Sequence, residues 1–336
     1  MLKGRTIFIT GGAGFIGSTI AGSLLQDNEV VLYDNLDRDS LKDQPFRNHK
    51  NLRLIEGDVL DLARLARTMT AVDPTHIVHC AAIAGIDTVI KSPVRTLEIN
   101  MVGTASALRA ASTLKNLQRM VCFSSSEVFG QTAFQSDEGG QTLIGKVGVA
   151  RWTYAVSKLS GEHLAIAYHK ERGLPTTVLR PFNIYGPGQV GEGALSIFIQ
   201  RALRGSDLEI HGDGTQIRAW CYIDDMVRGV LLALEHPQAV GETFNIGNQR
   251  AVVTIYGLAN TVIRVLKSSS RVRFVRKEYA DVELRVPSVG KARDVLGFEA
   301  RVELEEGIAL TADHYSRNPA SVREEAAGGW AASDRA

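Results

Sequence analysis

The sequence predicts an α/β fold, a parallel sheet wound on both faces by helices, and two observations carry that prediction. Strand-like apolar runs alternate with helix-like runs from Thr6 to about Ile184, and repeated βαβ units close as parallel sheets with right-handed crossovers. The first strand-to-helix corner, Thr10-Gly11-Gly12-Ala13-Gly14-Phe15-Ile16-Gly17, is rich in glycine. The length of 336 residues leaves room for one large α/β domain with an added lobe, or for two ordinary domains.

Thr6-Ile7-Phe8-Ile9 reads as a fully buried strand, and Phe15, Ile16, Ile20 and Leu24 recur at helical spacing after it. Val30-Val31-Leu32-Tyr33 is the second strand and ends in Asp34. Arg53-Leu54-Ile55 leads to Gly57-Asp58-Val59 and a helix through Leu62, Leu65 and Met69. His76 to Cys80 runs into Ala81-Ala82 and then a long helical pattern from Pro93 to Leu114. Met120 to Phe123 is followed by Ser124-Ser125-Ser126-Glu127, and a helix starts near Arg151. Thr176 to Leu179 ends at Arg180-Pro181-Phe182-Asn183.

In such a sheet the ligand lies beyond the carboxyl ends of the strands, so the residues after each strand converge on one crevice. Gly11 permits a tight turn, Gly14 a close approach to a pyrophosphate, and Gly17 a helix lying close to the sheet, with phosphates at the helix N-terminus. Asp34, about 20 residues beyond the glycine turn, is placed to accept hydrogen bonds from a ribose. A carboxylate there repels a 2′-phosphate, which favours NAD over NADP although Arg38 lies four residues on. Asp58 suits the adenine amino group, the competing role being a helix cap that Asp61 can equally fill. Ala81 and Ala82 are small enough for close passage of a cofactor, and Asn100 is placed to bond backbone groups beneath it. Phe15, Ile16, Asn35, Val59 and Ser124 complete the expected cofactor set. Tyr154 and Lys158, four apart, share one helix face, and an ammonium beside a phenol lowers its pKa so that it can accept an alcohol proton.

Composition excludes other classes. Lys plus Arg (38) balances Asp plus Glu (37), so a nucleic acid partner is not expected. Cys80, Cys122 and Cys221 are widely separated, lack metal-ligand spacing and sit among apolar residues, as reduced buried thiols do. Met1 to Arg5 leads straight into the first strand and no apolar run approaches membrane-spanning length, so a cytoplasmic protein without membrane contact is expected.

Together, the turn Gly11 to Gly17, Asp34, Asp58-Val59, Ser124, Tyr154-x-x-x-Lys158 and Arg180-Pro181-Phe182-Asn183-Ile184-Tyr185-Gly186-Pro187-Gly188 resemble the extended short-chain dehydrogenase/reductase family, in its nucleotide-sugar epimerase, dehydratase and decarboxylase branch. The resemblance covers about residues 5 to 315. It implies a Rossmann domain (1–186, with later segments returning to it), a smaller α/β nucleotide-sugar lobe (187–316), NAD as cofactor, and a homodimer formed by the helices at Pro93 to Leu114 and Arg151 to Arg172. Residues 317–336, polar and without apolar periodicity, are expected to form a flexible tail. It implies a UDP-sugar substrate, with Arg218 on the UDP part and Asn183 and Arg285 on the diphosphate, although the context Arg285-Val286-Pro287-Ser288 departs from the usual pattern. The insert from Gln131 to Arg151 is left unplaced.

The family begins by oxidising C4 of the sugar, with Tyr154 taking the O4 proton and Lys158 assisting. Ser124-Ser125-Ser126-Glu127 then discriminates among chemistries. In 4,6-dehydratases the matching positions resemble Ser-Thr-Asp-Glu, and Ser126 is too weak an acid to replace that aspartate. The Glu127 position is usually non-acidic in 4-epimerases. Ser-Ser-Ser-Glu most resembles the Ser-Thr-Ser-Glu of UDP-glucuronate decarboxylases, implying that Ser125, Ser126 and Glu127 join Tyr154 and Lys158 in the chemistry, giving UDP-xylose or UDP-4-keto-pentose. A 4-epimerase is the second expectation. A dehydratase, a net oxidoreductase and a non-catalytic nucleotide sensor follow it, the last opposed by the intact Tyr154 and Lys158.

Overall fold

The protein is described here as a computed structural model covering residues 2–191, 193–276 and 282–318. The alternating pattern becomes β1 (Thr6–Thr10), α1 (Phe15–Leu24), β2 (Glu29–Asp34), β3 (Leu52–Glu56), α2 (Leu62–Val72) and β4 (His76–His79). The short helices α3 (Ile86–Lys91) and α4 (Pro93–Leu97) precede α5 (Gly103–Ala111), β5 (Arg119–Phe123), β6 (Thr132–Ser136), α6 (Thr153–Arg172) and β7 (Thr176–Pro181). The chain continues through β8 (Ile184–Tyr185), α7 (Ala194–Leu203), β9 (Leu208–His211), β10 (Ile217–Ala219), β11 (Cys221–Tyr222), α8 (Ile223–Glu235) and β12 (Thr243–Ile246). It closes with β13 (Val252–Thr254), α9 (Ile255–Leu266), β14 (Val272–Val275), β15 (Leu284–Pro287), α10 (Gly290–Leu296) and α11 (Leu304–Arg317).

Seven parallel strands form the main sheet in the order β3-β2-β1-β4-β5-β7-β12. The order reverses at β1 and β4, so a crevice opens there beyond their carboxyl ends. Both faces of the strands inside the edge strand β3 are covered, which is why β1, β2 and β4 read as continuous apolar runs. Ile7, Ile9 and Leu32 pack in one core with Ile20 of α1 and Val230 of α8. The intervening Phe8, Val31 and Ile77 pack in the other with Leu65 of α2 and Leu108 of α5.

The long helix expected from Pro93 to Leu114 is interrupted. Residues Glu98–Val102 form a π-helical turn between α4 and α5, and the regular helix stops at Ala111. Such bulges shift the face a helix presents and occur often at functional sites. The unplaced insert supplies β6, which joins a second sheet of order β13-β10-β15-β6, with Ala133 opposite Arg285. That sheet therefore draws strands from before residue 186 as well as after it, while β12 returns to the main sheet. All three cysteines are free, and Cys122 and Cys221 are buried. Arg317 belongs to α11 rather than to a tail, and the tail expected beyond Asn318 lies outside the described residues. Among those residues, no helix is long and apolar enough to cross a membrane.

A buried ion pair fixes α6 against the sheet. Arg180, at the end of β7, donates from Nε and Nη2 to both oxygens of Glu162, at 2.7–3.1 Å, and its guanidinium lies 4.9 Å from the centre of the Phe129 ring. Thr243 adds a hydroxyl donor to Glu162 at 3.3 Å. Removing one charge leaves the other buried and uncompensated, so Glu162→Gln is expected to lower unfolding free energy by about 3–5 kcal/mol. Urea denaturation followed by circular dichroism measures this, and a change within experimental error would show the pair to be dispensable.

Candidate active site

A cleft of about 660 Å³ opens at the β1–β4 reversal. It is lined by eighteen of the residues expected from sequence, namely Gly11, Gly14, Phe15, Ile16, Gly17, Asp34, Asn35, Asp58, Val59, Ala81, Ala82, Ser124, Ser125, Ser126, Glu127, Tyr154, Lys158 and Asn183. Asn100, Arg218 and Arg285 are buried and do not line it. A separate groove on the outer face of α6, lined by Val156, Leu159 and His163 among others, contains none of the expected catalytic residues.

The dinucleotide end is built from backbone. Gly11 has φ +66°, and a Cβ there would lie 2.5 Å from the Ala81 nitrogen. At Gly17 a Cβ would strike the Gly11 carbonyl, so α1 can approach the turn only with glycine at this position. Gly14 is the N-cap of α1 and provides no side-chain cap, leaving the helix N-terminus open to an anion. The Asp34 carboxylate accepts from Ala13 N–H at 3.0 Å and Leu36 N–H at 2.8 Å. Burial pushes its pKa upward, opposed by those two donors. Arg38 also lines the cleft, donating to the Ala84 carbonyl and the Thr88 hydroxyl. Asp61 is the cap of α2, which leaves Asp58 in the cleft wall with one oxygen on Leu60 N–H. Ser124 Oγ is buried with no hydrogen-bond partner in the protein, although the residue lines the cleft. The glycine cradle, open helix terminus, anchored acid and orphaned hydroxyl fit a dinucleotide whose nicotinamide end reaches Ser124.

Asn100 does its work from below. In the π turn, its side chain exchanges two hydrogen bonds with the backbone of Ile83, at 2.7 and 3.0 Å, and donates to Ser157 Oγ at 2.9 Å. Ser157 in turn donates to the Tyr154 carbonyl at 2.7 Å. The asparagine thus fixes the loop after β4 relative to the helix carrying Tyr154 and Lys158.

The catalytic pair departs from the expected electrostatics. Lys158 donates to the Phe123 carbonyl at 2.9 Å and lies 5.9 Å from the centre of the Tyr154 ring. Burial lowers the lysine to about 8. Burial also pushes the Tyr154 phenol up to about 12, against a Ser125 hydrogen bond and with the Glu127 charge adding to the rise. The expected lowering of the phenol's pKa is therefore not seen in this state, because the cost of ionising a phenol away from water dominates.

Sequence reasoning missed the surroundings of Glu127. Arg151 Nη1 lies 3.0 Å from its Oε2 and Arg285 Nη1 lies 3.4 Å from its Oε1. Burial raises the pKa of the Glu127 carboxyl, but Arg285, Arg151 and the more distant Arg218 overcome it and leave a net lowering. Arg285 also donates to Ser126 Oγ at 3.2 Å and to the Gly130 carbonyl. It is therefore engaged beside the serine-glutamate stretch, rather than presented to a diphosphate as expected. Arg218 is tied to the Ile217 and Val282 carbonyls, while Asn183 reaches the cleft with φ +41° and donates to the Ala219 carbonyl. The missed signal was Arg151, three residues before Tyr154, where no motif marks it.

Residues 7–247 match the model of the NAD dependent epimerase/dehydratase family. The chain is 34% identical over 317 residues to UDP-glucuronic acid decarboxylase 6 of Arabidopsis thaliana, covering 92% of this chain and 88% of that one. It is 32% identical over 317 residues to the UDP-N-acetyl-alpha-D-glucosaminuronate decarboxylase of Bacillus cytotoxicus, covering 91% and 96%. Among solved structures, the UDP-glucuronic acid 4-epimerase of Bacillus cereus, in complex with UDP-glucuronic acid and NAD, superposes with a TM-score of 0.85 at 29% identity, covering 93% and 99%.

A charged acceptor contributes about 1.5–3 kcal/mol to a hydrogen bond. Asp34→Asn is therefore expected to weaken NAD binding roughly tenfold to hundredfold and to narrow its preference over NADP. Titration calorimetry with both dinucleotides tests this, and unchanged affinities would remove Asp34 from the ribose site.

Proposed function

The chain belongs to the NAD dependent epimerase/dehydratase family and is an NAD-using enzyme, and within that family we propose that it decarboxylates UDP-glucuronate to a UDP-pentose. The observation that carries this reading is the Ser124-Ser125-Ser126-Glu127 strand end with its arginines. One carboxylate faces Arg151 and Arg285, with Arg218 contributing from further off. Guanidinium groups gathered beside Ser126 and Glu127 suit a sugar that bears a carboxylate at C6, because their planar forks bind carboxylate oxygens. The two sequence relatives, both named as decarboxylases of UDP-linked uronic acids, support the same substrate class.

When bound, NAD supplies the hydride acceptor at C4 and the positive charge of its ring. Tyr154 would take the O4 proton as a phenolate, a form that the Lys158 ammonium, the Ser125 hydroxyl and the positive ring of bound NAD would each favour over the neutral phenol. A C4 ketone turns the uronate into a β-keto acid. Its carboxylate leaves as carbon dioxide, and the electron pair enters an enolate that the protonated Tyr154 phenol stabilises at O4. Ser126 Oγ accepts from Arg285, which leaves its O–H free to orient the C6 carboxylate. Held ionised, Glu127 is a poor proton donor near neutral pH. Its part is to orient the water that delivers a proton to C5. The C4 ketone would then recover its hydride, with Tyr154 returning the proton to O4, so that no net oxidant is consumed and a UDP-pentose is formed.

The structural similarity to a UDP-glucuronic acid 4-epimerase supports a second reading, 4-epimerisation of the same uronate. A homodimer is proposed through α6 and the segment from α4 to α5, where Val94, Val102 and Val156 are exposed.

Incubation with UDP-glucuronate and catalytic NAD is expected to yield a sugar nucleotide lighter by one carbon dioxide, followed by mass spectrometry and proton NMR. An isomer of unchanged mass would replace this reading with epimerisation. Tyr154→Phe is expected to lower turnover by roughly 10²–10⁴.

The lysine charge is present below its pKa of about 8 and lost above it. The value of kcat/KM should therefore fall as pH rises through about 8. Lys158→Met, slower throughout, should lack that limb, and its persistence there would assign the limb to another group.

A further inference from the structure

Arg151 has no place in the dinucleotide motif or in the Tyr-Lys pair, yet it makes the shorter of the two arginine contacts with Glu127. It sits on the 3₁₀ turn Ala150–Trp152 that leads directly into α6, three residues before Tyr154. Its side chain is 5% exposed, and its guanidinium stands 5.3 Å from the centre of the Trp152 ring. Trp152 is itself buried, with its indole packed so closely on Gly145 that a Cβ there would overlap the ring. The planar group is therefore held in one orientation before it meets the carboxylate.

We propose that Arg151 is a positioning residue that fixes Glu127 at the sugar end of the cleft by gripping one carboxylate oxygen while Arg285 takes the other. This extends the decarboxylase reading by naming what aims its glutamate. A single arginine would neutralise Glu127 but would let the carboxylate rotate about its last bond. Two cations on separate oxygens, one from the turn before α6 at 3.0 Å and one from β15 at 3.4 Å, attract the carboxylate from two sides. The groups facing Glu127 are Arg285 on β15, Arg218 on β10, Arg151 itself, the Tyr154 phenol on α6, and Ser125, whose hydroxyl accepts from Glu127 N–H at 3.2 Å. Among the described residues, every charged member of this set is cationic, so loss of Arg151 weakens the hold on the carboxylate.

The test uses full-length enzyme labelled with ¹³C at the glutamate carboxyls, with the Glu127 resonance assigned by its absence in Glu127→Gln. In Arg151→Gln, the Glu127 carboxyl should titrate at higher pH than in the wild type, and in Arg151→Lys the midpoint should return toward the wild-type value. The kcat of Arg151→Gln should fall roughly 10²-fold, with NAD affinity at the distant glycine corner unchanged as the measure of an intact fold. A Glu127 titration that is the same in Arg151→Gln and wild type overturns the proposal, as does failure of lysine to restore it. If Arg151→Gln does not retain NAD, Arg151→Met, which keeps an unbranched chain against Trp152 without the charge, takes its place, a Glu127 titration equal to wild type being the refuting result. Because the titration is read without turnover, a wild type that releases no carbon dioxide would overturn the decarboxylase reading while leaving the role of Arg151 to stand or fall on the NMR result.

Discussion

The Glu127 carboxylate, shared between Arg151 and Arg285, is the interaction on which the arrangement of the sugar end depends. It joins three parts of the chain that the backbone alone does not bring together: the end of β5, the turn before α6 and strand β15 of the second sheet. Arg285 is 1% exposed and Arg151 scarcely more so, and neither could keep its charge there without a partner. The stretch from Glu127 to Arg151 is thus a loop closed by an ion pair at its ends. Its middle is anchored separately, by β6 pairing with β15 and by the contact of Gly130 with Leu143, where any side chain would collide with backbone.

The two ends of the cleft are held by different physics. At the dinucleotide end the determinants are backbone positions: a left-handed glycine at Gly11, a helix terminus with no cap, and an acid anchored by two N–H groups. At the sugar end they are charged side chains brought from distant segments. Asn100 links the ends, because the same side chain fixes the Ile83 backbone and, through Ser157, the start of the catalytic helix. The π turn sets the face on which Asn100 stands.

This division explains what could be read from the sequence. Gly11, Gly14, Gly17 and Asp34 are local features of one βαβ unit, and all four line the cleft as expected. Five strands of the main sheet were visible as apolar runs because both of their faces are buried, and the partly exposed edge strand β3 was visible from Leu54 and Ile55. Strand β6 was not, since its sequence, Thr132-Ala133-Phe134-Gln135-Ser136, gains its pairing only from a partner some 150 residues away. The π turn was hidden because one extra residue barely disturbs an apolar period of 3.6. Arg285 was assigned to the diphosphate from motif position, and its turn toward Ser126 is a tertiary fact. The expected fall in the Tyr154 pKa failed for an energetic reason: spacing places Lys158 nearby but says nothing of how little water surrounds the phenol.

That last point bears on substrate choice. With the phenol held neutral, Glu127 is the anion facing the sugar end among the groups described, against Arg151, Arg285 and a Lys158 that is mostly charged at neutral pH. On the decarboxylase reading, the C6 carboxylate adds its charge beside these arginines on binding. Its departure as neutral carbon dioxide takes that attraction away. A pocket matched to the uronate is then mismatched to the pentose that replaces it, so the electrostatics that favour substrate entry also weaken the hold on product. An epimerase acting on the same uronate would retain the carboxylate through the reaction and meet no such change, which makes the relative affinity of the cleft for UDP-glucuronate and UDP-xylose a property that follows from the chemistry performed there.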